Sequence, residues 1–338
     1  MNSKKATMEN EYAIDVEKLN IVFKTEDATV YAVNDVDIKL KKGSIKGLVG
    51  ETGAGKTTSM LSLMKLVPNP PGIVTSGKIV INGQDLNKMT DDQLCAFRGK
   101  EISMIFQDPM TSLNPVMTVG EQIAESILLH NNVNKKEAME RAKKMLTMVG
   151  IAPERSVEYP HQFSGGMRQR VGIAIALACE PTVLIADEPT TALDVTIQAQ
   201  VLKLMKNLQA DMGTSMMIIT HDLGVVAEMC DEVAVMYAGR IVEEGTAEDI
   251  FNKTMHPYTE GLFNSLPNIK HRNVKLQPIN GLMPDPSEIK PGCSFADRCP
   301  YATERCFKEI PKLRKVDETH QIACLAYDDP AFHIKRGK

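Results

Sequence analysis

The nonapeptide GETGAGKTT, Gly50 to Thr58, limits what this chain can fold into more than any other stretch. It fits G-x-x-x-x-G-K-[ST], with Gly50, Gly55, Lys56 and Thr57 at the fixed positions. The apolar segment SIKGLV leads into it and a helix must follow Gly55, the strand–loop–helix context that the motif requires. Such a loop curls successive backbone N–H groups around phosphate oxygens, and the helix adds its positive end. The candidate cradle is therefore Gly50, Glu51, Thr52, Gly53, Ala54, Gly55, Lys56, Thr57 and Thr58. Lys56 is expected on the β/γ-phosphates and Thr57 on Mg2+.

A second acidic motif matches it. In VLIADE four apolar residues end in Asp187 and Glu188, and a buried strand has no packing reason to finish on two adjacent acids. Asp187 fits the carboxylate that holds Mg2+, and Glu188 fits a general base acting on the attacking water. The pair implies a Mg2+-dependent nucleoside triphosphatase. Between the two motifs lies FSGGMRQR, in which Ser164, Gly165 and Gly166 open a helix and form another anion-seeking terminus. Two such helix starts far apart in one chain suggest a nucleotide sandwiched between two molecules.

Composition narrows the setting. The formal charge of −4 gives no electrostatic case for nucleic acid or a bare anionic membrane. MNSKKATMENEYAID has two lysines but no apolar run behind them, so no signal peptide is expected, and no window has about 18 consecutive apolar residues. A cytosolic chain is expected, with membrane contact only through partners. Residues 12–90 look β-rich, and residues 115–150 helical by periodicity, as VGEQIAESILLH and then KKEAMERAKKMLTMVG, ending on Gly150. Thr90 and Gln93 stand at capping-box spacing. A helix from about Met167 to Cys179, the strand TVLIAD, a further helix and the strand SMMIIT restore an α/β pattern. After Thr254 proline density rises, which marks a loop-rich appendage.

The signature FSGGMRQR resembles that of the ATP-binding cassette family, and other segments fall where that family has them. Gln107 in MIFQDP looks like the glutamine that senses Mg2+ and γ-phosphate. Thr191 to Asp194 resembles the loop that contacts the opposite subunit, and His221 in IITHD looks like the histidine on the γ-phosphate. Phe23 sits where the family's adenine-stacking aromatic lies, with Tyr31 as the second candidate. FQDPMTSLNPVMTVGEQIAE, YPHQFSGGMRQRV, YAGRIVEEG, HPYTEGL and GCSFADRCPYA together resemble the ATPase subunits of oligopeptide/dipeptide importers over roughly residues 12–325.

The resemblance implies an α/β P-loop NTPase core with an antiparallel β subdomain and a helical insertion over about 95–165. Residues 1–255 would form the nucleotide-binding domain and 256–338 a C-terminal domain. It implies the ATP- and Mg2+-dependent motor of a membrane importer, with Glu188, His221 and Gln107 catalytic. ATP would lie on the cradle with Phe23, Asp187 and the signature residues Ser164, Gly165 and Gly166. Mg2+ would lie on Thr57, Gln107 and Asp187. Implied partners are a companion ATPase, two integral-membrane permeases and an extracytoplasmic solute-binding protein, with the chain peripheral at the cytoplasmic face of the membrane and no nucleic acid bound. Met167 stands where a glutamine is common, which suggests a heterodimer with unequal ATP sites. Short peptides are the first solute class; nickel, glutathione or another small solute is the alternative. A cassette ATPase acting on nucleic acid or ribosomes is the rival from another class.

Four of the seven cysteines, Cys293, Cys299, Cys306 and Cys324, lie in the tail. Their spacing is neither that of paired zinc knuckles nor that of ferredoxins, so a metal site and plain reduced thiols both remain open. A proline- and glycine-rich segment with little apolar periodicity needs a staple to be ordered. The resemblance adds a four-cysteine metal site, with a [4Fe–4S] cluster first and zinc second. Because every group needed for hydrolysis precedes residue 222, the tail is expected to order the C-terminal appendage, against the companion ATPase, rather than touch nucleotide.

Overall fold

The structure, a computed structural model, describes residues 11–191, 193–266, 278–288 and 290–334. Its strands are β1 (Tyr12–Lys24), β2 (Thr29–Lys41), β3 (Ile45–Val49), β4 (Gly72–Ile81), β5 (Gln84–Asp85) and β6 (Ile102–Ile105), then β7 (Val183–Asp187), β8 (Ser215–Thr220), β9 (Glu232–Tyr237), β10 (Arg240–Thr246), β11 (Arg314–Lys315) and β12 (Gln321–Ile322). The α-helices are α1 (Lys56–Leu63), α2 (Asp91–Phe97), α3 (Pro109–Ser112), α4 (Val119–His130) and α5 (Lys135–Met148), then α6 (Gly165–Leu177), α7 (Val195–Met212), α8 (Leu223–Met229), α9 (Ala247–Asn252) and α10 (Pro257–Asn264). The α/β class expected from the sequence is the class observed.

The described residues divide into two compact units, one drawn from 1–17, 38–45 and 78–217, the other from 18–37, 46–77 and 218–338. In the first unit β6 and β7 pair in parallel, with Ile102 opposite Val183. Every residue of both strands is buried, so they read as continuous apolar runs rather than as alternation, as strands covered on both faces do. The four-residue apolar start of VLIADE thus has its structural cause.

The two helical segments expected over 115–150 are α4 and α5. Asn134 ends the intervening turn by accepting the Glu137 N–H (3.0 Å), which caps α5. Thr118 and Glu121 form a reciprocal capping box at the start of α4, as Thr90 and Gln93 do at α2. Both α4 and α5 pack on α6, and α6 packs on β6 and α7. Val171, Ile173, Ala174, Ala176 and Leu177 are buried along α6, which explains the unbroken apolar run VGIAIAL.

In the second unit the strand order is β11-β12-β10-β9-β3. β3 runs parallel to β9, with Lys46 opposite Glu232 and Val49 opposite Val235. Lys46, 2% exposed, lies in this strand because its ammonium is paired with Glu232 (3.2 Å) and Glu244. The tail is loop-rich, as expected, but it also extends the sheet. Gln321 and Ile322 of β12 pair with Glu244 and Glu243 of β10, which covers what would otherwise be an open edge.

Candidate nucleotide and cysteine sites

In the second unit, β3 ends at Val49 and the chain turns through the phosphate-seeking loop into α1. A Cβ at Gly50 would meet the Met236 carbonyl oxygen at 2.2 Å, and one at Gly55 the Ala32 carbonyl oxygen at 2.4 Å. Gly55 also has φ 101°, so only glycine lets the loop close against these two backbones. Lys56 begins α1 and is buried; its Nζ donates to the carbonyls of Gly50 (2.8 Å) and Glu51 (3.0 Å), spanning the loop. No acidic residue occupies the first turn of α1, so the positive end of the helix dipole is not neutralised there. Thr57 is exposed and Thr58 half-buried in that same turn.

Two contacts to the loop were not visible in the sequence. The Glu51 N–H donates to Tyr258 Oη (2.8 Å), and the Glu51 carboxylate receives both terminal nitrogens of Arg298 (2.7 and 3.1 Å). His221 follows β8 and is exposed, directly before Asp222, whose carboxylate caps α8. Phe23, on β1, is half-buried with its ring against the Gly72 backbone. Tyr31 donates its N–H to the Pro286 carbonyl (2.8 Å) and lines a cavity of about 190 Å³ with Gly53, Gly239 and Met283.

In the first unit, Asp187 ends β7 at 4% exposure and Glu188 turns the chain with φ 46°, a left-handed conformation uncommon for a non-glycine residue. Glu188 Oε2 accepts from Gln107 Nε2 (2.9 Å) and from Thr191 Oγ1 (2.9 Å). The structure thus brings together a candidate base and two neutral donors, which hold the carboxylate in place. Of the expected subunit-contact loop, Ala192 lies outside the described residues, and Asp194 caps α7 by accepting the Ile197 N–H (3.0 Å).

Ser164 caps α6, its hydroxyl accepting the Met167 N–H (3.4 Å), and Gly165 and Gly166 form the first turn with no acidic neighbour in it. The Arg155 guanidinium lies over the Phe163 ring (4.4 Å) and donates to the Gln162 carbonyl (3.2 Å) and to Met167 Sδ (3.3 Å). Sequence reasoning missed Arg155 as the support of this turn, because nothing local marks it. Beside Gln107 in the same unit opens a cavity of about 460 Å³, lined by Ile105, Phe106, Leu113, His130 and Ile175 among others. Phe106 is 46% exposed.

All four tail cysteines line one small cavity, with His256, Phe295, Tyr301 and Leu325. Backbone N–H groups aim at three of the sulfurs: those of Phe295 and Ala296 at Cys293, of Tyr301 at Cys299, and of Ala326 and Tyr327 at Cys324. Burial pushes the Cys299 thiol up to about 12 and the Cys324 thiol up to about 11, and the neighbouring cysteines push the same way. Burial thus favours the neutral thiol at Cys293, Cys299 and Cys324; a bound metal would displace those protons and take the thiolates as ligands. Burial also depresses His256 to about 4, so the ring packs neutral, with Nδ1 accepting the Tyr258 N–H (3.0 Å).

Four thiol donors lining one cavity suit zinc and an iron–sulfur centre alike as ligand types. Among the described residues, Asp249, Asp317 and His320 also bring three ligand atoms within 4.8 Å of one another. The Asp249 carboxylate of the other trio is already bonded to the Thr246 and Thr319 hydroxyls (2.7 Å each) and to Lys253 (3.2 Å).

The chain is similar to known proteins along almost its whole length. The ABC transporter family model matches residues 33–191, and the model of the oligopeptide/dipeptide transporter C-terminal region matches 242–306. The oligopeptide transport ATP-binding protein AppD of Bacillus subtilis (strain 168) is 49% identical over 94% of this chain and 97% of its own. The dipeptide transport ATP-binding protein DppD of the same organism is 48% identical over 96% and 97%. Among solved structures, the ATP-binding cassette MJ0796, a dimer in a post-hydrolysis state bound to ADP and Pi, has a TM-score of 0.62 at 27% identity, covering 69% of this chain and 98% of that one. The cbiO1 protein of Clostridium perfringens, part of the ABC transporter complex cbiONQ, has a TM-score of 0.63 at 28% identity, covering 72% and 93%.

Proposed function

The chain belongs to the ABC transporter family, among its peptide-import ATP-binding proteins, and we propose that it powers uptake of di- and oligopeptides as one of two unequal ATPases under a pair of integral-membrane permeases. It is the ATP-hydrolysing motor of an importer, an ATPase using ATP and Mg2+. The observation that carries the peptide reading is the match of residues 242–306 to the oligopeptide/dipeptide C-terminal region. No helix among the described residues is long and apolar enough to cross a membrane; a place at the cytoplasmic face, held there by the permeases, goes with the importer reading. An extracytoplasmic binding protein would deliver the solute.

Each candidate residue then has a task. The loop from Gly50 to Thr58 would hold the phosphates, with the Lys56 ammonium for the β/γ oxygens and Thr57 as a Mg2+ ligand, while Gln107 and Asp187 are the Mg2+ ligand candidates of the other unit. Phe23 faces the adenine. Glu188, held by Gln107 and Thr191, polarises the attacking water, and His221 bonds the γ-phosphate. Ser164, Gly165 and Gly166 present the open start of α6 to the γ-phosphate held by the opposite ATPase. Met167 in place of glutamine supports the pairing with a different companion. The cavity beside exposed Phe106 and Gln107 suits an apolar element of a permease, which would link nucleotide state to the membrane.

Residues 256–338 act as the family-specific extension of a nucleotide-binding portion that ends near 255. Its four cysteines, Cys293, Cys299, Cys306 and Cys324, would hold a [4Fe–4S] cluster, which supplies a covalent staple to a segment poor in apolar core. The reading is tested by purifying the tagged chain from detergent-solubilised membranes. Two permeases and a second ATPase should accompany it; recovery with nucleic acid and no permease overturns it.

A further inference from the structure

We propose that Arg298 is a positioning residue through which the four-cysteine segment sets the affinity of the phosphate loop for ATP. The proposal rests on the nucleotide reading of Gly50–Thr58. Arg298 is the residue immediately before Cys299, yet its guanidinium lies on Glu51, the second residue of the loop, 247 positions earlier in the chain. The pair is bidentate, at 2.7 and 3.1 Å, and the Arg298 side chain is 5% exposed. Two parallel bonds fix both distance and orientation, which a single lysine contact would not. Arg298 also donates to Tyr237 Oη (3.3 Å) and, through Nε, to the Asn280 carbonyl (3.0 Å), so its own position is over-determined.

The second tie is aromatic. Tyr258 Oη accepts the Glu51 N–H, and its ring packs against Tyr237 (4.6 Å between centroids) and Phe295 (5.5 Å). Phe295 and Arg298 lie on the same short turn between Cys293 and Cys299, closed by the Cys299 N–H on the Ala296 carbonyl (3.2 Å). The backbone and the carboxylate of Glu51 are therefore held from one direction, by groups that the cysteine turn places. The purpose is electrostatic. A carboxylate at the second position of an anion-binding loop repels polyphosphate unless a cation neutralises it, and in a half-buried setting that repulsion is weakly screened. Arg298 supplies the cation without competing for phosphate, because both its terminal nitrogens are engaged by Glu51.

The test measures the ATP dissociation constant by titration calorimetry on the full chain without turnover, in EDTA. Arg298→Ala should weaken binding about tenfold, and Arg298→Lys about threefold, since the charge survives but the fork does not. In the double variant Arg298→Ala/Glu51→Gln, affinity should return to within about threefold of the parent, because the naked carboxylate has gone. Cys299→Ser should weaken ATP binding in the parent and add little in the Arg298→Ala background. A merely structural role predicts instead that the double variant is at least as weak as Arg298→Ala. Unchanged affinity in Arg298→Ala, or additive losses in the double variant, overturns the proposal. If Arg298→Ala does not fold, Arg298→Lys with and without Glu51→Gln makes the same comparison. A parent chain that binds no ATP would instead sink the nucleotide reading.

Discussion

Glu188→Gln should lower ATP turnover by about 10²- to 10⁴-fold, the range typical of a lost general base, while ATP affinity stays within about threefold. Glutamine keeps the size of the side chain and an oxygen that can accept from Thr191 and Gln107, so the turn after β7 should survive. What it loses is the negative charge that draws a proton from water as that water attacks. Asp187, one residue earlier and buried at the strand end, is unchanged, so Mg2+ and nucleotide should still bind. A steady-state phosphate-release assay, paired with equilibrium nucleotide binding, separates the two effects. Near-normal turnover would show that the base is misassigned; lost binding would show that the carboxylate holds ligand rather than water.

The second large effect concerns the tail. Chain purified without oxygen should be brown and contain about four irons with matching acid-labile sulfide, and Cys299→Ser should lose both. Because metal binding to such a segment is folding free energy, the same change should lower the thermal midpoint by about 5 °C or more. The physical basis is the convergence of four half-buried cysteines on one cavity, with backbone N–H groups already aimed at three of the sulfurs. One zinc per chain in place of iron would select the smaller centre. Metal-free chain that stays folded and melts like Cys299→Ser would remove both.

The nucleotide machinery was legible because its chemistry is local. Gly55 with Lys56 directly after it, and a strand ending in two adjacent acids, are each spelled out within ten residues, although the close backbone approach that demands glycine at 50 and 55 is not. Helices α4 and α5 were legible as two periodic segments, whereas the caps at Thr118 and Asn134 were not read, although Thr118 and Glu121 carried a spacing signal that could have been. Non-local ties were not legible. Arg155 supports the Ser164 turn from nine residues earlier through a ring and a sulfur, with no motif of its own.

The tail is where the sequence expectation changes most. The four cysteines could be counted, but their irregular spacing did not say that they meet, which depends on β12 pairing with β10 and on turns at Cys293 and Cys299. The segment was expected to order the appendage rather than touch nucleotide, because all expected hydrolytic groups precede residue 222. What that expectation did not contain is that Arg298 and Tyr258 both reach Glu51 of the candidate phosphate loop.

The central claim is that this chain converts ATP hydrolysis into peptide uptake, and the measurement that tests it most directly is ATP turnover by the complex reconstituted in lipid. Adding the binding protein loaded with a short peptide should raise turnover several-fold over the unloaded binding protein, and the rise should vanish in Glu188→Gln. Turnover that ignores every peptide tested, or that responds to nucleic acid in the absence of permeases, would contradict the account.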